Sequence, residues 1–187
     1  MEGEIKRALR AAITFLDDCG YRYAVIGGVA LAQWNVIRFT HDLDIKVLVP
    51  DLEYEKARLA LRSAFPTSTR EEVIKNPLIV AVKIGEVIVD FLLALPGYEE
   101  LIIKRAVQRE LGDFQALICS AEDLIIQKAV AGRGKDWVDI EALLIEQWGE
   151  LDKAFIQDWL EQFAEALEMP ELLTQYKQLL EKVSNLY

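Results

Sequence analysis

The sequence that decides the fold runs from Ala24-Val25-Ile26-Gly27-Gly28 to Asp42-Leu43-Asp44-Ile45, with thirteen residues between Gly28 and Asp42. A short apolar strand ends at the glycine pair, and a D-x-D lies within the next strand. Because side chains alternate along a strand, Asp42 and Asp44 project from the same face. Two carboxylates this close repel each other, and a divalent cation between them relieves the repulsion. The stretch therefore predicts a metal site on the second strand.

A third carboxylate, Asp90, lies within the apolar run Val87-Ile88-Val89-Asp90-Phe91-Leu92. Burying an ionised carboxylate is costly unless it is paired or bound to a metal. The hairpin that carries Asp90 is expected beside the Asp42 strand, and three carboxylates supply the hard oxygen ligands that suit Mg²⁺ or Mn²⁺ better than zinc. Two simpler roles for Asp90 stay open: an exposed edge-strand position, or a cross-strand pair with Lys83.

Composition narrows the class of protein. The 187 residues suffice for one domain or one and a half, 52% of them are hydrophobic, and the net charge is −10. This charge argues against a protein that coats nucleic acid, and we expect no DNA partner. The chain shows no membrane-spanning apolar run and no signal peptide, so we expect no membrane partner. Cys19 and Cys119 lack metal-binding spacing, which favours a cytoplasmic protein with both thiols buried.

Hydrophobic periodicity predicts an α+β fold, with a mixed β-sheet flanked by helices and a helical C-terminal half. The boundary is expected near Ser120, with a core over residues 1–120 and a helical region over 121–187 that packs on it. Asp51 is expected to be an N-cap. Ser120-Ala121-Glu122-Asp123 resembles a capping box at the start of a helix over 121–131, with Asp in place of the usual Glu or Gln. The predicted helices are 5–16, 29–34, 51–64, 98–106, 121–131, 136–147, 153–167 and 170–183, and the predicted strands are 23–26, 42–49, 78–84, 86–93 and 114–119.

The glycine pair, the D-x-D and the isolated Asp90 together resemble the polymerase-beta-type nucleotidyltransferase superfamily. Within it, Arg38-Phe39-Thr40-His41-Asp42-Leu43-Asp44 resembles the R-x-T-x-D-x-D signature of the abortive-infection nucleotidyltransferase toxins. It also resembles the small lincosamide and aminoglycoside nucleotidyltransferases. The block from Lys128 to Asp139 is similar to the K-x-x-A…R…[RK]-D-x-x-D motif of the toxin-like group, although the spacing from Ala131 to Arg133 is shorter than in that group.

The resemblance implies that residues 1–120 form a nucleotidyltransferase catalytic core. The implied reaction moves a nucleoside monophosphate from a nucleoside triphosphate to an acceptor hydroxyl on an RNA end such as that of tRNA, on a small molecule or on a protein. Asp42, Asp44 and Asp90 would be catalytic and would bind Mg²⁺ (or Mn²⁺), with Asp90 accepting the hydroxyl proton. Gly27 and Gly28 would let the backbone approach the β- and γ-phosphates. The alternative is a non-catalytic module of the same fold that binds nucleotide or regulates a partner protein.

Lys128 and Arg133 are the remaining nucleotide-binding candidates. Lys128 shares the inward face of its helix with Leu124 and Ile125, so its ammonium needs an anion such as a triphosphate, or must reach past the core to water. Arg133 adds charge at the same place or lies in a turn. Two roles stay open for the acids that follow: Asp136 and Asp139 are first-turn helix acids, or Asp136 pairs with one of the two cations. The sequence also leaves open whether His41, Arg38 and Lys135 take part in the reaction.

Overall fold

The computed structural model describes residues 3–66 and 76–187. Among these residues the chain forms the following helices and strands in order: α1 (Gly3–Asp18), β1 (Arg22–Ile26), α2 (Gly27–Gln33), β2 (Asp42–Leu48), α3 (Tyr54–Ala64), β3 (Ile79–Ile84), β4 (Val87–Leu93), α4 (Tyr98–Lys104), β5 (Val107–Glu110), β6 (Gln115–Ile118), α5 (Ala121–Ala131), α6 (Gly134–Glu146), α7 (Lys153–Ala166) and α8 (Glu171–Ser184). They divide into two compact units, residues 1–30 with 38–119, and residues 31–37 with 120–187.

The first unit is built on a six-stranded mixed sheet with the order β3-β4-β2-β1-β6-β5. Strand β2 pairs antiparallel with β1 and parallel with β4, and β3 and β4 form the predicted hairpin, in which Gly85 takes a φ of +61°. The predicted α+β class with a mixed sheet is confirmed. Strand β5 was not predicted, because Val107–Glu110 is mostly exposed and lacks the alternation that marks a half-buried strand.

Part of the core of this unit lies on the face of the sheet that carries Leu43, Ile45 and Val47. These three residues of β2 are fully buried. Helix α1 packs against β1 to β4, and its apolar residues recur every three or four positions: Ile5, Ala8, Leu9, Ala12, Ile13 and Leu16. Each fully buried Leu or Ile contributes about 1.5–3 kcal/mol. The opposite face of β2 carries Asp42, Asp44, Lys46 and Leu48, and α4 packs against β1 and β2 there.

Two local predictions were wrong. Asp51 is not an N-cap: it has a φ of +54° inside a 3₁₀ turn over Pro50–Leu52, and α3 begins only at Tyr54. An N-cap requires extended backbone, so a residue in the left-handed region cannot lead into the helix. Cys119 is buried as expected, but Cys19 is exposed just after α1.

The second unit is helical. Helix α5 begins as predicted at Ser120, whose hydroxyl accepts from Asp123 N at 3.1 Å and donates to Asp123 Oδ2 at 2.8 Å. It ends at Gly132, which takes the left-handed conformation of a C-cap. Helix α5 packs against α6, α7 and α8. The packing of this unit on the core stays a prediction. None of the helices in the described ranges is long and apolar enough to span a membrane.

Candidate active site

The three predicted carboxylates of the first unit share one face of the sheet. Asp44 is the register partner of Asp90 on the parallel strands β2 and β4. Paired residues on neighbouring strands point the same way, and Asp42 lies two residues before Asp44, so all three project together. Neighbouring strands are about 4.8 Å apart. Asp90 is only 7% exposed, which rules out the exposed edge-strand role, and Lys83 Nζ pairs with Glu86 at 2.9 Å.

Gly27 makes room for one of these carboxylates. It follows β1 with a φ of +66°, which L-residues with a side chain rarely adopt. A Cβ built there would overlap Asp44 Oδ2. The carboxylate of Asp44 therefore lies directly against the Gly27 backbone, and glycine is required at this position for two separate reasons.

Gly28 has a similar steric role for the segment that leads into β2. A Cβ at Gly28 would lie 2.8 Å from both Cβ and Oγ1 of Thr40. The Thr40 hydroxyl in turn donates a hydrogen bond to the carbonyl oxygen of Asp42 at 3.1 Å. The glycine pair thus leaves the space that Thr40 and the Asp44 side chain occupy, and its predicted phosphate role stays a prediction.

Lys128 and Arg133 come together in the second unit around Asp136. Lys128 Nζ lies 2.6 Å from Asp139 Oδ2 and 3.5 Å from Asp136 Oδ1. Arg133 donates from Nε to Asp136 Oδ2 at 2.6 Å and from Nη2 to Asp136 Oδ1 at 3.1 Å. Lys128 is buried, so it does not reach past the core to solvent. Both interpretations of Asp136 are confirmed, because it lies in the first turn of α6 and also pairs with the two cations, whereas Asp139 lies beyond the first turn.

The sequence profile of a family described as nucleotidyl transferases of unknown function (DUF2204) matches residues 5–175. The chain belongs to this family. No curated protein matches the sequence significantly. The predicted membership in a nucleotidyltransferase superfamily is confirmed, and so is the prediction of an enzyme of this class. The closer resemblance to the toxin-like group stays a prediction.

Solved structures confirm the nucleotidyltransferase fold. The solution structure of the antibiotic-resistance factor ANT(2'')-Ia has 15% identity and a TM-score of 0.57, covering 88% of this chain and 93% of that one. A crystal structure of ANT(2'')-Ia with adenylyl-2''-tobramycin has 16% identity and a TM-score of 0.52, covering 87% and 96%. An antigenic nucleotidyltransferase-like protein from Paracoccidioides brasiliensis has 16% identity and a TM-score of 0.51, covering 93% and 91%.

The carboxylate face of this nucleotidyltransferase has the donor chemistry that a divalent metal needs. Three carboxylates supply the hard oxygens that Mg²⁺ and Mn²⁺ prefer, and the space at Gly27 admits one of them. Within residues 3–66 and 76–187, no group of three or more His, Cys, Asp or Glu side chains is already arranged to hold an ion. A metal held by Asp42, Asp44 and Asp90 would therefore require these carboxylates to turn toward a common point, and this metal site stays a prediction.

A buried cation on the same face was not predicted. Lys46 lies two residues beyond Asp44, so the two side chains project together, and Lys46 is only 4% exposed. Its ammonium pairs with Glu99 Oε1 on α4, while Glu99 Oε2 accepts a hydrogen bond from Leu95 N at 2.8 Å. The signal was present in the sequence, because Asp42, Asp44 and Lys46 alternate along one strand.

His41, the only histidine, is exposed just before β2. Its ring contacts that of Phe39 edge-on, with 4.3 Å between the ring centroids, and Phe39 is itself 67% exposed. Nothing in this contact assigns a proton-transfer role to the imidazole.

The charges around Asp136 keep it ionised. Burial alone would raise the pKa of this carboxyl, but the hydrogen bond from Arg133 and the positive charges of Lys128 and Arg133 outweigh burial and hold the pKa below its usual value. Asp136 and Asp139 therefore present two negative charges to Lys128 and Arg133, and the cluster is close to neutral. Lys135 is exposed beside it.

Proposed function

We propose that this nucleotidyltransferase moves a nucleoside monophosphate from a nucleoside triphosphate to an acceptor hydroxyl in a reaction that depends on Mg²⁺ (or Mn²⁺). The observation that carries the proposal is the register of Asp44 with Asp90, which puts three carboxylates on one polar face. Neither an apolar core nor an ordinary surface requires three acids at such positions, since like charges this close destabilise the fold. Binding of a metal-bound triphosphate would account for these three acids.

The three carboxylates have distinct roles in the proposal. Asp42, Asp44 and Asp90 would hold the divalent metal, which when bound orients the triphosphate and lowers the pKa of the acceptor hydroxyl. Asp90 would accept the proton of that hydroxyl. The hydroxyl oxygen then forms a bond to the α-phosphorus, the bond from that phosphorus to the bridging oxygen breaks, and pyrophosphate leaves.

The other predicted residues would bind the nucleotide. The backbone of Gly27 and Gly28 lacks side chains that would keep a phosphate at a distance, and so supports a role in binding the β- and γ-phosphates. Lys128 and Arg133 would donate hydrogen bonds to the nucleotide, since Asp136 and Asp139 already balance their charges. Their support is that Asp136 and Asp139 hold both cations in place, so that little side-chain freedom is lost on binding.

For the acceptor, we propose a hydroxyl on a small cationic molecule, modified in the cytoplasm. Two observations favour it over RNA. The net charge of −10 attracts cations and repels a polyanion. The fold is shared with ANT(2'')-Ia, whose crystal structure contains adenylyl-2''-tobramycin. The resemblance of residues 128–139 to the toxin-like group favours tRNA instead, and a protein hydroxyl is the third outcome of the test.

The test is a labelling experiment. The protein is incubated with Mg²⁺ and each of the four α-labelled nucleoside triphosphates, in turn with a pool of aminoglycosides and related small molecules, with total tRNA and with protein. We expect label to appear in the small-molecule pool, and the Asp44→Asn variant to transfer none. The matched control is Asp18→Asn, which changes an exposed carboxylate of the same unit and keeps full activity.

The labelling experiment, together with the Tm measured with and without Mg²⁺ plus nucleotide, separates the enzyme from the non-catalytic alternative. Label in tRNA or protein would overturn the proposed acceptor and keep the reaction. Stabilisation by Mg²⁺ with nucleotide but no labelled product from any pool would support a module that binds nucleotide or regulates a partner protein. Equal transfer by wild type and Asp44→Asn would contradict the carboxylate site itself.

A further inference from the structure

We infer that the ion pair between the buried Lys46 and the partly exposed Glu99 is a positioning device that sets the affinity of the carboxylate face for its divalent cation. The inference rests on the proposed function and adds two residues that neither the sequence motifs nor the family assigns. The inference concerns charge balance: Glu99 compensates the positive charge of Lys46, which lies on the same face of β2 as the proposed metal-binding acids.

The position of Lys46 is the first step. Alternate residues of a strand are about 6.6 Å apart, so Lys46 on one side and Asp42 on the other are the nearest residues to Asp44 along its own face of β2. The side chain of Lys46 is almost entirely buried, where water screens its charge little. A cation at this distance acts directly on whatever charge Asp44 and Asp90 hold.

The position of Glu99 is the second step. Glu99 lies on α4, which follows β4 through a short turn, and β4 carries Asp90. One of its carboxylate oxygens pairs with Lys46 and the other accepts from Leu95 N at 2.8 Å within that turn. The pair thus connects the strand of Asp44 to the segment that leaves the strand of Asp90.

Neighbouring hydrogen bonds hold this segment in place. Ala94 N donates to Val47 O at 2.8 Å, and the Tyr54 hydroxyl donates to Ala94 O at 2.9 Å. Burial, and then the negative charge of Glu99, raises the pKa of Tyr54, so the hydroxyl stays protonated and stays a donor. The carboxylate of Glu99 therefore has a fixed position relative to Lys46.

The charges predict effects of opposite sign for the two partners. Glu99→Gln leaves the Lys46 charge uncompensated beside the acids, which repels a divalent cation. Lys46→Met leaves the Glu99 charge uncompensated, which attracts one. A purely structural role predicts the same sign for both, because losing either half of the pair loosens the same contact.

The experiment measures metal binding in the absence of nucleotide. Mn²⁺ binding to wild type, Glu99→Gln, Lys46→Met and the double variant is measured by calorimetry and by the rise in Tm with Mn²⁺ concentration. We expect Glu99→Gln to weaken Mn²⁺ binding by about fivefold, as screened Coulomb interactions over about 10 Å allow. Lys46→Met should strengthen it by a smaller factor, because Glu99 is partly exposed and water screens its charge. The double variant, which is neutral again, should return to within about twofold of wild type, since both opposing charges are gone.

Matched controls come from a pair on the same helix whose glutamate side chain is 34% exposed, like that of Glu99, but whose lysine side chain is 53% exposed where that of Lys46 is 6%. Lys104 Nζ lies 2.8 Å from Glu100 Oε1. Glu100→Gln and Lys104→Met make the same chemical changes where water and salt screen the charges, and should leave Mn²⁺ binding unchanged. The amide oxygen introduced by Glu99→Gln can still accept from Leu95 N, so this variant and the double variant still decide the matter if Lys46→Met fails to fold.

The outcomes are distinguishable. Weaker Mn²⁺ binding in both single variants, or a double variant as weak as Glu99→Gln, would overturn the inference and leave the proposed function intact. A wild-type protein that binds no Mn²⁺ would overturn the metal-dependent function and this inference together.

Discussion

Asp44 and Asp90 are register partners on the parallel strands β2 and β4, and the Asp44 carboxylate lies against the backbone of Gly27. Strand β1 ends at that glycine, so three neighbouring strands β1, β2 and β4 meet at the acids. The relationship explains why a glycine pair and a D-x-D so far apart in sequence belong to one site.

The contact between Gly27 and Asp44 predicts a specific cost for Gly27→Ala. The methyl group would overlap Asp44 Oδ2 in addition to straining a φ of +66°. We expect about 2–4 kcal/mol of destabilisation, of which about 1–2 kcal/mol is backbone strain. Urea denaturation measures the difference. The control is Gly85→Ala, which has a φ of +61° and no atom within 4 Å of the added Cβ. Equal losses of stability in the two variants would show that the overlap with Asp44 contributes nothing to the destabilisation.

The contact between Gly28 and Thr40 predicts a rescue. A Cβ at residue 28 would lie 2.8 Å from Thr40 Cβ. Gly28→Ala should therefore destabilise the protein by about 1–3 kcal/mol, as overpacking does. Thr40→Gly removes the obstructing atoms. The double variant should therefore lose less stability than the sum of the losses in the two single variants. Strict additivity in this double-mutant cycle would refute the contact.

The buried cluster of the helical unit predicts a large effect of Asp139→Asn. This change takes from Lys128 a carboxylate that lies 2.6 Å away and leaves a buried ammonium with reduced compensation. We expect a loss of about 3 kcal/mol in the free energy of unfolding, measured by urea denaturation at pH 7. The control is Glu141→Gln on the same helix, where the partner Lys182 is exposed and the expected loss is below about 1 kcal/mol. Similar losses in both variants would mean that burial adds nothing to the pair with Lys128.

The lowered pKa of Asp136 predicts a pH dependence of stability. A carboxyl whose pKa is lower in the folded than in the unfolded state stabilises the fold above the unfolded pKa, which is about 3.9. That contribution is lost as the pH falls through the folded pKa of Asp136. Between pH 6 and pH 3, the urea midpoint of wild type should fall more steeply than that of Asp136→Asn. Parallel profiles would contradict the pairing of Asp136 with Arg133 and Lys128.

Much of the fold follows from local pattern. The stripe of α1, the hairpin at Gly85 and the cap at Ser120 each rest on residues a few positions apart, and each was predicted. The carboxylate face was predicted too, because period-two alternation is fixed by the backbone. Strand β5 could not be predicted from its own residues, since it forms by pairing with β6. The role of Lys46 depends on Glu99, 53 residues away, and no local pattern links them.

The steric roles of the glycines also needed the structure. A sequence shows that Gly27 and Gly28 allow close approach, but not to what. The structure identifies the neighbouring side chain of the motif in each case, which is Asp44 for Gly27 and Thr40 for Gly28.

The most direct test of the central claim is the Tm of wild type and Asp90→Asn, each with and without Mg²⁺ plus nucleoside triphosphate. Asn has nearly the shape of Asp but lacks the charge, and Asp18→Asn serves as the exposed control. If Asp42, Asp44 and Asp90 bind a metal–triphosphate complex, the Tm of wild type and of Asp18→Asn rises by several degrees while that of Asp90→Asn stays unchanged. A rise in Asp90→Asn equal to that of wild type would contradict the account.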